Sequence, residues 1–139
     1  MPGVGLGIII LNKNNEILLL LRNSDKEKAD SDMRLEGTWT LPAGKVKLNE
    51  TIMNAANRKL KDETNLDSND FEIICIQDDI NEYAHFVTIG LLCNSYSNEI
   101  KLSNTEEHIK FNFFNINQLP DNLCEPSKKI IKSYLSKTE

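Results

Sequence analysis

The sequence has 139 residues, of which 21 are acidic and 16 are basic, so its formal net charge is −5 at pH 7. This length favours one domain over residues 1–139, with a core that needs no disulfide or metal staple. A hydrophobic fraction of 40% and a charged fraction of 27% exclude a disordered or collagen-like chain. The acidic balance argues against binding to extended nucleic acid, which needs clustered lysines and arginines.

The cysteines and the N-terminus indicate in which cellular compartment we expect the protein. Cys75, Cys93 and Cys124 are too scattered for a disulfide framework or a zinc site. Unpaired cysteines fit a reducing environment. The N-terminus lacks the positive leader of a signal peptide, and its apolar run ends at Asn12, short of the ~20 residues that span a bilayer. We therefore expect a cytoplasmic protein without membrane contacts.

Two apolar runs come first in the chain, over residues 4–11 and 17–21, and an asparagine-rich turn joins them. This pattern predicts a β-hairpin. Because the runs do not alternate cleanly between apolar and polar residues, we expect other elements to cover both faces of both strands. Residues 23–36 are polar and charged without apolar periodicity, which predicts a long surface loop.

A helix is predicted over residues 49–64, because apolar side chains recur there at helical spacing. Asn49 is a plausible N-cap, and Asn65 is a plausible left-handed stop. The second half favours strands and ends in an amphipathic helix, with Pro126 in its first turn. The predicted strands cover residues 71–77, 85–93, 100–102 and 109–114, and the predicted last helix covers residues 126–136. This order of elements indicates an α/β fold with helices packed against a sheet.

One stretch, residues 44–66, combines a glycine turn with a helix that carries acids at its start and near its end. The adjacent carboxylates of Asp62 and Glu63, near exposed carbonyls, are the oxygen ligands that Mg²⁺ prefers. Residues three and four apart share a helix face, so Lys59 neighbours both acids. A solvated helix with ion pairs worth a few tenths of a kcal/mol each explains the same charges. The charge pattern alone leaves both interpretations open.

The spacing in residues 44–66 resembles the signature of the Nudix hydrolase family, the MutT-like enzymes. That signature runs glycine, five residues, glutamate, seven residues, then Arg-Glu-aliphatic-any-Glu-Glu-any-Gly-aliphatic. Asp62 is a conservative replacement for one of its glutamates. The flanking segments 18–22, 37–44, 111–113 and 119–120 also resemble the family, so the similarity covers most of the chain. The residues that match the signature are Gly44, Glu50, Arg58, Leu60, Glu63 and Leu66.

The resemblance implies an α/β/α sandwich around a mixed sheet, with the signature helix packed on it. It also implies that water hydrolyses the diphosphate linkage of a small nucleotide, with Mg²⁺ or Mn²⁺ as cofactor. Such an ion neutralises phosphate oxygens and lowers the pKa of the attacking water. Residues 2–5 and 85–89 look like the branch that acts on nucleoside triphosphates, while ADP-ribose or another nucleoside diphosphate derivative stays open. Many family members are dimers, so a homodimer stays open too, although no stripe marks an interface.

The site residues follow from the resemblance position by position. Glu63 and Asp62 would be metal ligands, together with the backbone carbonyl of Ala43. Glu50 would be an outer metal contact, and Arg58 would orient the carboxylates by charge-assisted hydrogen bonds. The candidates for substrate binding are Arg22 at the end of the second strand, Lys59, and Glu106, which is either the extra acid of many family members or an ordinary loop charge.

Two positions depart from the signature. Asn65 replaces a glycine, and asparagine tolerates the left-handed conformation. Lys59 replaces a glutamate that serves in the family as a metal ligand or as the base. Exchanging a carboxylate for an ammonium ~6 Å from a divalent ion costs about 3 kcal/mol even at water's dielectric constant. That energy corresponds to a loss of metal affinity of about a hundred-fold.

Three hypotheses about Lys59 follow. In the first, the remaining signature acids bind one metal while Lys59 points to solvent on its flexible stem. In the second, Lys59 stands in for a metal and touches the phosphates as a point charge. In the third, catalysis is lost and a nucleotide-binding or regulatory module remains. We favour retained hydrolysis, because the other signature acids and Arg58 persist.

Overall fold

The computed structural model describes residues 1–137, and these residues form seven strands and two helices. Residues 138 and 139, the end of the predicted domain, lie outside the described residues. The elements in chain order are β1 (Gly3–Ile9), β2 (Ile17–Arg22), β3 (Trp39–Thr40), β4 (Ala43–Lys45), α1 (Ile52–Thr64), β5 (Asp67–Ile80), β6 (His85–Ser97), β7 (His108–Phe114) and α2 (Glu125–Lys137).

The strands form two sheets. A four-stranded sheet has the order β4-β1-β6-β5, and a three-stranded sheet has the order β3-β2-β7. The β1–β6 pair is parallel, whereas the other pairs are antiparallel. With a helix on each side, this arrangement confirms the predicted α/β/α sandwich with mixed strand directions.

The prediction of a hairpin is right for the turn between the first two strands and wrong for the strands themselves, which do not pair with each other. A bridge between Leu11 and Ile17 and a hydrogen bond of 3.0 Å from the Leu18 N–H to the Ile10 carbonyl close the turn. After it, the strands enter different sheets. Each has both edges occupied by other strands, β1 by β4 and β6, and β2 by β3 and β7. A central strand has no free edge, so the two cannot pair with each other.

Two apolar clusters cover opposite faces of the strands. Alternate side chains of β1 and β2 enter the two clusters, as the period of two in a strand requires. This explains why the two runs lack polar positions, and the predicted double coverage is confirmed. The α1 side includes Leu6, Ile8, Leu18, Leu20, Ala55, Ala56 and Leu60, and the α2 side includes Ile9, Ile17, Leu19, Leu41, Ile130 and Ile131.

The ends of α1 matter because this helix carries the signature acids. The predicted N-cap at Asn49 is wrong, because Thr51 is the cap and its side chain accepts a hydrogen bond from the Asn54 N–H. Asn49 has a φ of 65° and lies in the turn before the helix. The prediction for Asn65 is confirmed, since it ends the helix in the left-handed conformation at a φ of 70°. The missing signature glycine therefore leaves the fold unchanged.

The remaining predictions have mixed outcomes. Three of the four strands predicted in the second half and the last helix form, each with longer bounds than predicted. No strand forms at residues 100–102, where Ile100 and Leu102 pack against the α1-side cluster instead of pairing. Residues 23–36 form turns and bends, as predicted for a loop, and the three cysteines are free. In the described part of the chain, neither helix has the length and apolar character to cross a membrane.

Candidate active site

A cleft of about 440 Å³ lies beside the signature helix. Its walls come from β1, β4, the last turns of α1, the loop after β2 and the start of α2. The lining combines ionisable and apolar side chains, as is usual for sites that bind small molecules. The ionisable lining includes Arg22, Lys59, Glu63, Glu107 and His108, and the apolar lining includes Leu6, Leu41, Phe86, Pro126 and Ile130.

Glu63 occupies the last turn of α1 and is nearly enclosed, with 10% of its side chain exposed. One carboxylate oxygen accepts a hydrogen bond of 3.0 Å from the Ala43 N–H, and the other lies 3.8 Å from the Lys59 ammonium. Burial raises the pKa of Glu63 to about 7, although Lys59 and the Ala43 N–H act in the opposite direction. A carboxylate in such a place gains much from a bound cation.

Glu63, Glu107 and His108 form what we call the acid–histidine cluster. One potential ligand atom from each of them lies within 4.8 Å of the others. The His108 side chain is only 4% exposed, and its Nδ1 lies 3.5 Å from a carboxylate oxygen of Glu107. Burial lowers the pKa of His108 to about 4, helped by the positive charges of Arg22 and Lys59. The imidazole is therefore neutral at pH 7 and can bind a metal.

Sequence reasoning missed two members of this cluster. The sequence left Glu106 open between the extra acid and an ordinary loop charge; in the structure Glu106 is exposed, whereas its neighbour Glu107 reaches the cluster. Both acids lie in a turn in which the Asn104 side chain accepts hydrogen bonds from the backbone N–H groups of Glu106 and Glu107. Strand β7 begins directly after this turn, at His108, so Glu107 is the acid next to the strand. His108 has no second histidine at ligand spacing in the sequence. Glu107 is its neighbour, but Glu63 comes from a helix more than forty residues earlier, so no local signal marks His108 as a ligand.

Lys59 lies across the backbone of Gly44. A Cβ atom on Gly44 would lie 2.3 Å from Cε and 2.6 Å from Cγ of the lysine. The lysine stem therefore occupies the space that a side chain would take, and the Lys59 side chain is only 23% exposed. Lys59 is one of the residues that line the cleft. In this structure the Lys59 stem therefore packs against β4 and does not extend into solvent.

Arg58 and Glu50 form a closed ion pair beside the cleft. Arg58 Nε and Nη2 donate to the two oxygens of Glu50 at 2.7 and 2.9 Å, and Nη2 also donates to the Lys45 carbonyl at 2.9 Å. The Lys47 N–H adds a bond of 3.0 Å to Glu50. The hydrogen bonds from Arg58 and Lys47 hold the pKa of Glu50 at about 2. Arg58 therefore orients one of the signature carboxylates, that of Glu50.

The other predicted residues lie around this core of the site. Asp62 has 60% of its side chain exposed and lies 4.0 Å from Arg58. The structure does not bring Asp62 or Glu50 into the acid–histidine cluster. Arg22 Nη2 donates to the carbonyls of Ala29 and Asp30 at 2.8 and 3.0 Å, which holds the loop after β2. Within residues 1–137, Arg22 Nε is a buried donor without a hydrogen-bond partner.

Chemically, the cleft combines two kinds of binding group. The acid–histidine cluster offers carboxylate and imidazole ligands for a divalent cation. Lys59 and Arg22 offer positive charge to an anion in the same cleft. A comparison with protein families shows where such a site occurs: the model of the NUDIX domain matches residues 1–134 of this chain. The chain belongs to the Nudix hydrolase family.

Similarities to individual Nudix proteins, in sequence and in structure, support the same family assignment. The chain is 29% identical over 128 residues to an ADP-ribose pyrophosphatase of Methanocaldococcus jannaschii, covering 91% of this chain and 69% of that protein. It is 34% identical over 71 residues to Nudix hydrolase 5 of Arabidopsis thaliana, covering 51% of this chain and only 22% of that longer protein. The crystal structure of a MutT NUDIX hydrolase from Burkholderia pseudomallei superposes with a TM-score of 0.83 at 25% identity, covering 96% of this chain and 98% of that one.

Proposed function

We propose that this Nudix protein hydrolyses the diphosphate linkage of a nucleotide derivative, with Mg²⁺ or Mn²⁺ bound at the acid–histidine cluster. The observation that carries the proposal is the meeting of Glu63, Glu107 and His108 within 4.8 Å, in a cleft that also presents Lys59 and Arg22. The cluster would hold the cation, and the two basic side chains would bind the diphosphate.

The donor atoms fit a divalent ion. Glu63 is an enclosed carboxylate whose pKa is raised to about 7, so it lacks a positive partner strong enough to offset its burial. Neutral His108 adds a nitrogen ligand that Mn²⁺ accepts more readily than Mg²⁺ does. The bound ion would neutralise phosphate oxygens and lower the pKa of the attacking water. The Ala43 carbonyl, Glu50 and Asp62 stay predicted contacts of the ion or of its waters.

The reaction would need positive charge near the phosphate oxygen on which negative charge develops. The water oxygen would form a bond to one phosphorus and release a proton to solvent, while the bridging P–O bond breaks and its oxygen leaves with the bond's electrons on the departing phosphate. Lys59 and Arg22 line the same cleft and would stabilise the negative charge on that departing oxygen. Lost activity with retained nucleotide binding is the second candidate function. The observation that favours it is a lysine, Lys59, where the family has an acid.

The substrate class is open between two groups. Segments 2–5 and 85–89 favour nucleoside triphosphates, whereas the archaeal relative's name favours ADP-ribose. Phe86 lines the cleft and is half-buried, so it can contact the nucleoside in either case. The cytoplasmic location and a homodimer stay predictions.

A substrate panel tests the function. Nucleoside triphosphates, nucleotide sugars including ADP-ribose, and dinucleotides are each incubated with Mg²⁺ or Mn²⁺, and products are separated by chromatography. We expect turnover of at least one class, and loss of turnover when the metal is chelated. If nucleotides bind but none is hydrolysed with either metal, the enzyme proposal fails and the binding module is correct.

A further inference from the structure

Lys59 places a positive charge inside a site that its neighbours build for a cation. We propose that the Lys59 ammonium takes the place of one divalent ion, so that the site loads a single divalent ion and binds the substrate's diphosphate even without metal. This inference rests on the proposed function, because it assumes that a diphosphate occupies the cleft. It assigns a specific partner, the diphosphate, to a residue that departs from the family's signature.

The first argument is position. The stem of Lys59 lies on Gly44, where a Cβ would come within 2.3 Å of Cε, so the glycine creates the channel that holds the lysine. The side chain is 23% exposed, and Lys59 lines the cleft together with Arg22. A stem seated over this glycine is packed against β4 and does not extend from the helix into solvent.

The second argument is the unused bonding capacity of the ammonium. The distance from Lys59 Nζ to the nearest Glu63 oxygen is 3.8 Å, too long for a hydrogen bond. Among residues 1–137, the structure gives this ammonium no hydrogen bond to another protein group, although it has three donors to offer. Arg58, one residue earlier, has donated to both oxygens of Glu50 and to a carbonyl. Lys59 is therefore free to donate to an incoming anion.

The third argument is charge. Lys59 lies 3.8 Å from Glu63, so its positive charge already offsets part of the negative charge that Glu63 and Glu107 bring to the cluster. One divalent ion would add the further positive charge that a diphosphate requires in the cleft. A second divalent ion would meet both the first ion and the ammonium, and like charges at such distances repel strongly. The lysine thus supplies a fixed positive charge in place of an exchangeable one.

The decisive experiment measures metal-free binding by calorimetry in EDTA, with α,β-methylene-ADP as a non-hydrolysable diphosphate probe. Lys59→Met keeps the stem on Gly44 and removes the charge. Lys61→Met is the matched control, because Lys61 is exposed on the same helix. We expect the Kd of Lys59→Met to rise about 10-fold or more, the worth of a hydrogen bond to a charged group. Lys61→Met should bind as the unaltered protein does.

A second measurement counts the ions. Titration with Mn²⁺, followed by electron paramagnetic resonance, should give one ion per chain in the unaltered protein. Lys59→Glu should admit a further ion or tighten Mn²⁺ binding about a hundred-fold, because it replaces a repulsive charge with a ligand. Two ions bound by the unaltered protein would overturn the inference, as would equal probe affinity in Lys59→Met and Lys61→Met.

These outcomes separate the inference from the proposed function. Neither measurement requires turnover, so a chain that hydrolyses nothing but binds the probe through Lys59 would refute the function alone. A chain that hydrolyses nucleotides but binds the probe equally without Lys59 would refute the inference alone. Thermal melting shows whether each variant is folded, and Lys59→Gln replaces Lys59→Met if the latter unfolds.

Discussion

Two neighbouring residues of α1 each face a glutamate, and the two pairs are built differently. Arg58 grips Glu50 through two nitrogens at 2.7 and 2.9 Å, while Lys59 stands 3.8 Å from Glu63. In the first pair, Arg58 also donates a hydrogen bond to the carbonyl of residue 45, and Glu50 also accepts one from the N–H of residue 47. The second pair faces the cleft, and the ammonium keeps its donors free.

The electrostatics of the two glutamates differ in the same way. Hydrogen bonds hold the pKa of Glu50 at about 2, whereas burial raises the pKa of Glu63 to about 7. A carboxylate whose charge is fully hydrogen-bonded stabilises the surrounding structure. A carboxylate that is buried without enough hydrogen bonds or positive charge to offset the burial is a candidate for binding a cation. The closed pair therefore holds the signature loop in place, and the open pair is the one that we expect to meet metal and substrate.

Removing the open carboxylate should have the largest effect on activity. Glu63→Gln keeps the shape and deletes the charge, so metal-dependent turnover should fall by more than about 100-fold, since even groups behind metal ligands contribute 10- to 100-fold. Melting should show a folded protein, because an enclosed, poorly compensated charge is gone. Turnover within a few-fold of the unaltered protein would mean that the cation lies elsewhere.

Pushing Lys59 out of its channel should have an intermediate effect. Gly44→Ala places a methyl group where the lysine stem lies, and the glycine's φ is not positive, so the backbone tolerates alanine. We expect metal-free affinity for α,β-methylene-ADP to fall about 10-fold, as it does when the charge is removed.

A double-mutant cycle provides the control for that experiment. In a Lys59→Ala background the stem is too short to meet the new methyl group, so Gly44→Ala should have no further effect on probe affinity. An equal additional loss in both backgrounds would show that the alanine acts on the loop itself and not through the lysine.

Breaking the closed pair should have the smallest effect of the three changes on metal-free probe binding and a visible effect on stability. The pKa of Glu50 is lowered from 4.5 to about 2, so its contribution is complete above pH 4.5 and is lost as the pH falls towards 2. Glu50→Gln should therefore lower the melting temperature at pH 7, and the difference from the unaltered protein should shrink in acid. Asp62→Asn, at an exposed position, should barely change it at either pH. If the difference in melting temperature between Glu50→Gln and the unaltered protein is the same at every pH, the loss of stability does not come from the charge of Glu50.

The sequence allowed the family, the fold class and the left-handed Asn65 to be predicted, because each depends on residues at fixed local spacing. The hairpin prediction failed because the turn at residues 12–15 is local while strand pairing is not. No signal in the sequence pointed to Glu107 beside Glu106, for a similar reason. Both acids lie in one loop, and only the start of β7 against the cleft decides which of them reaches Glu63.

The sequence by itself determined that a signature of fixed spacing carries a lysine in place of an acid, since spacing and residue type need no third dimension. Tertiary structure alone decided what that lysine does with its charge. The direction of a flexible four-carbon stem depends on what packs beneath it, and here Gly44 of β4 leaves the channel that leads Lys59 to the cleft. The same packing joins His108 and Glu107 to the end of α1, because burial and contact are properties of distant segments brought together.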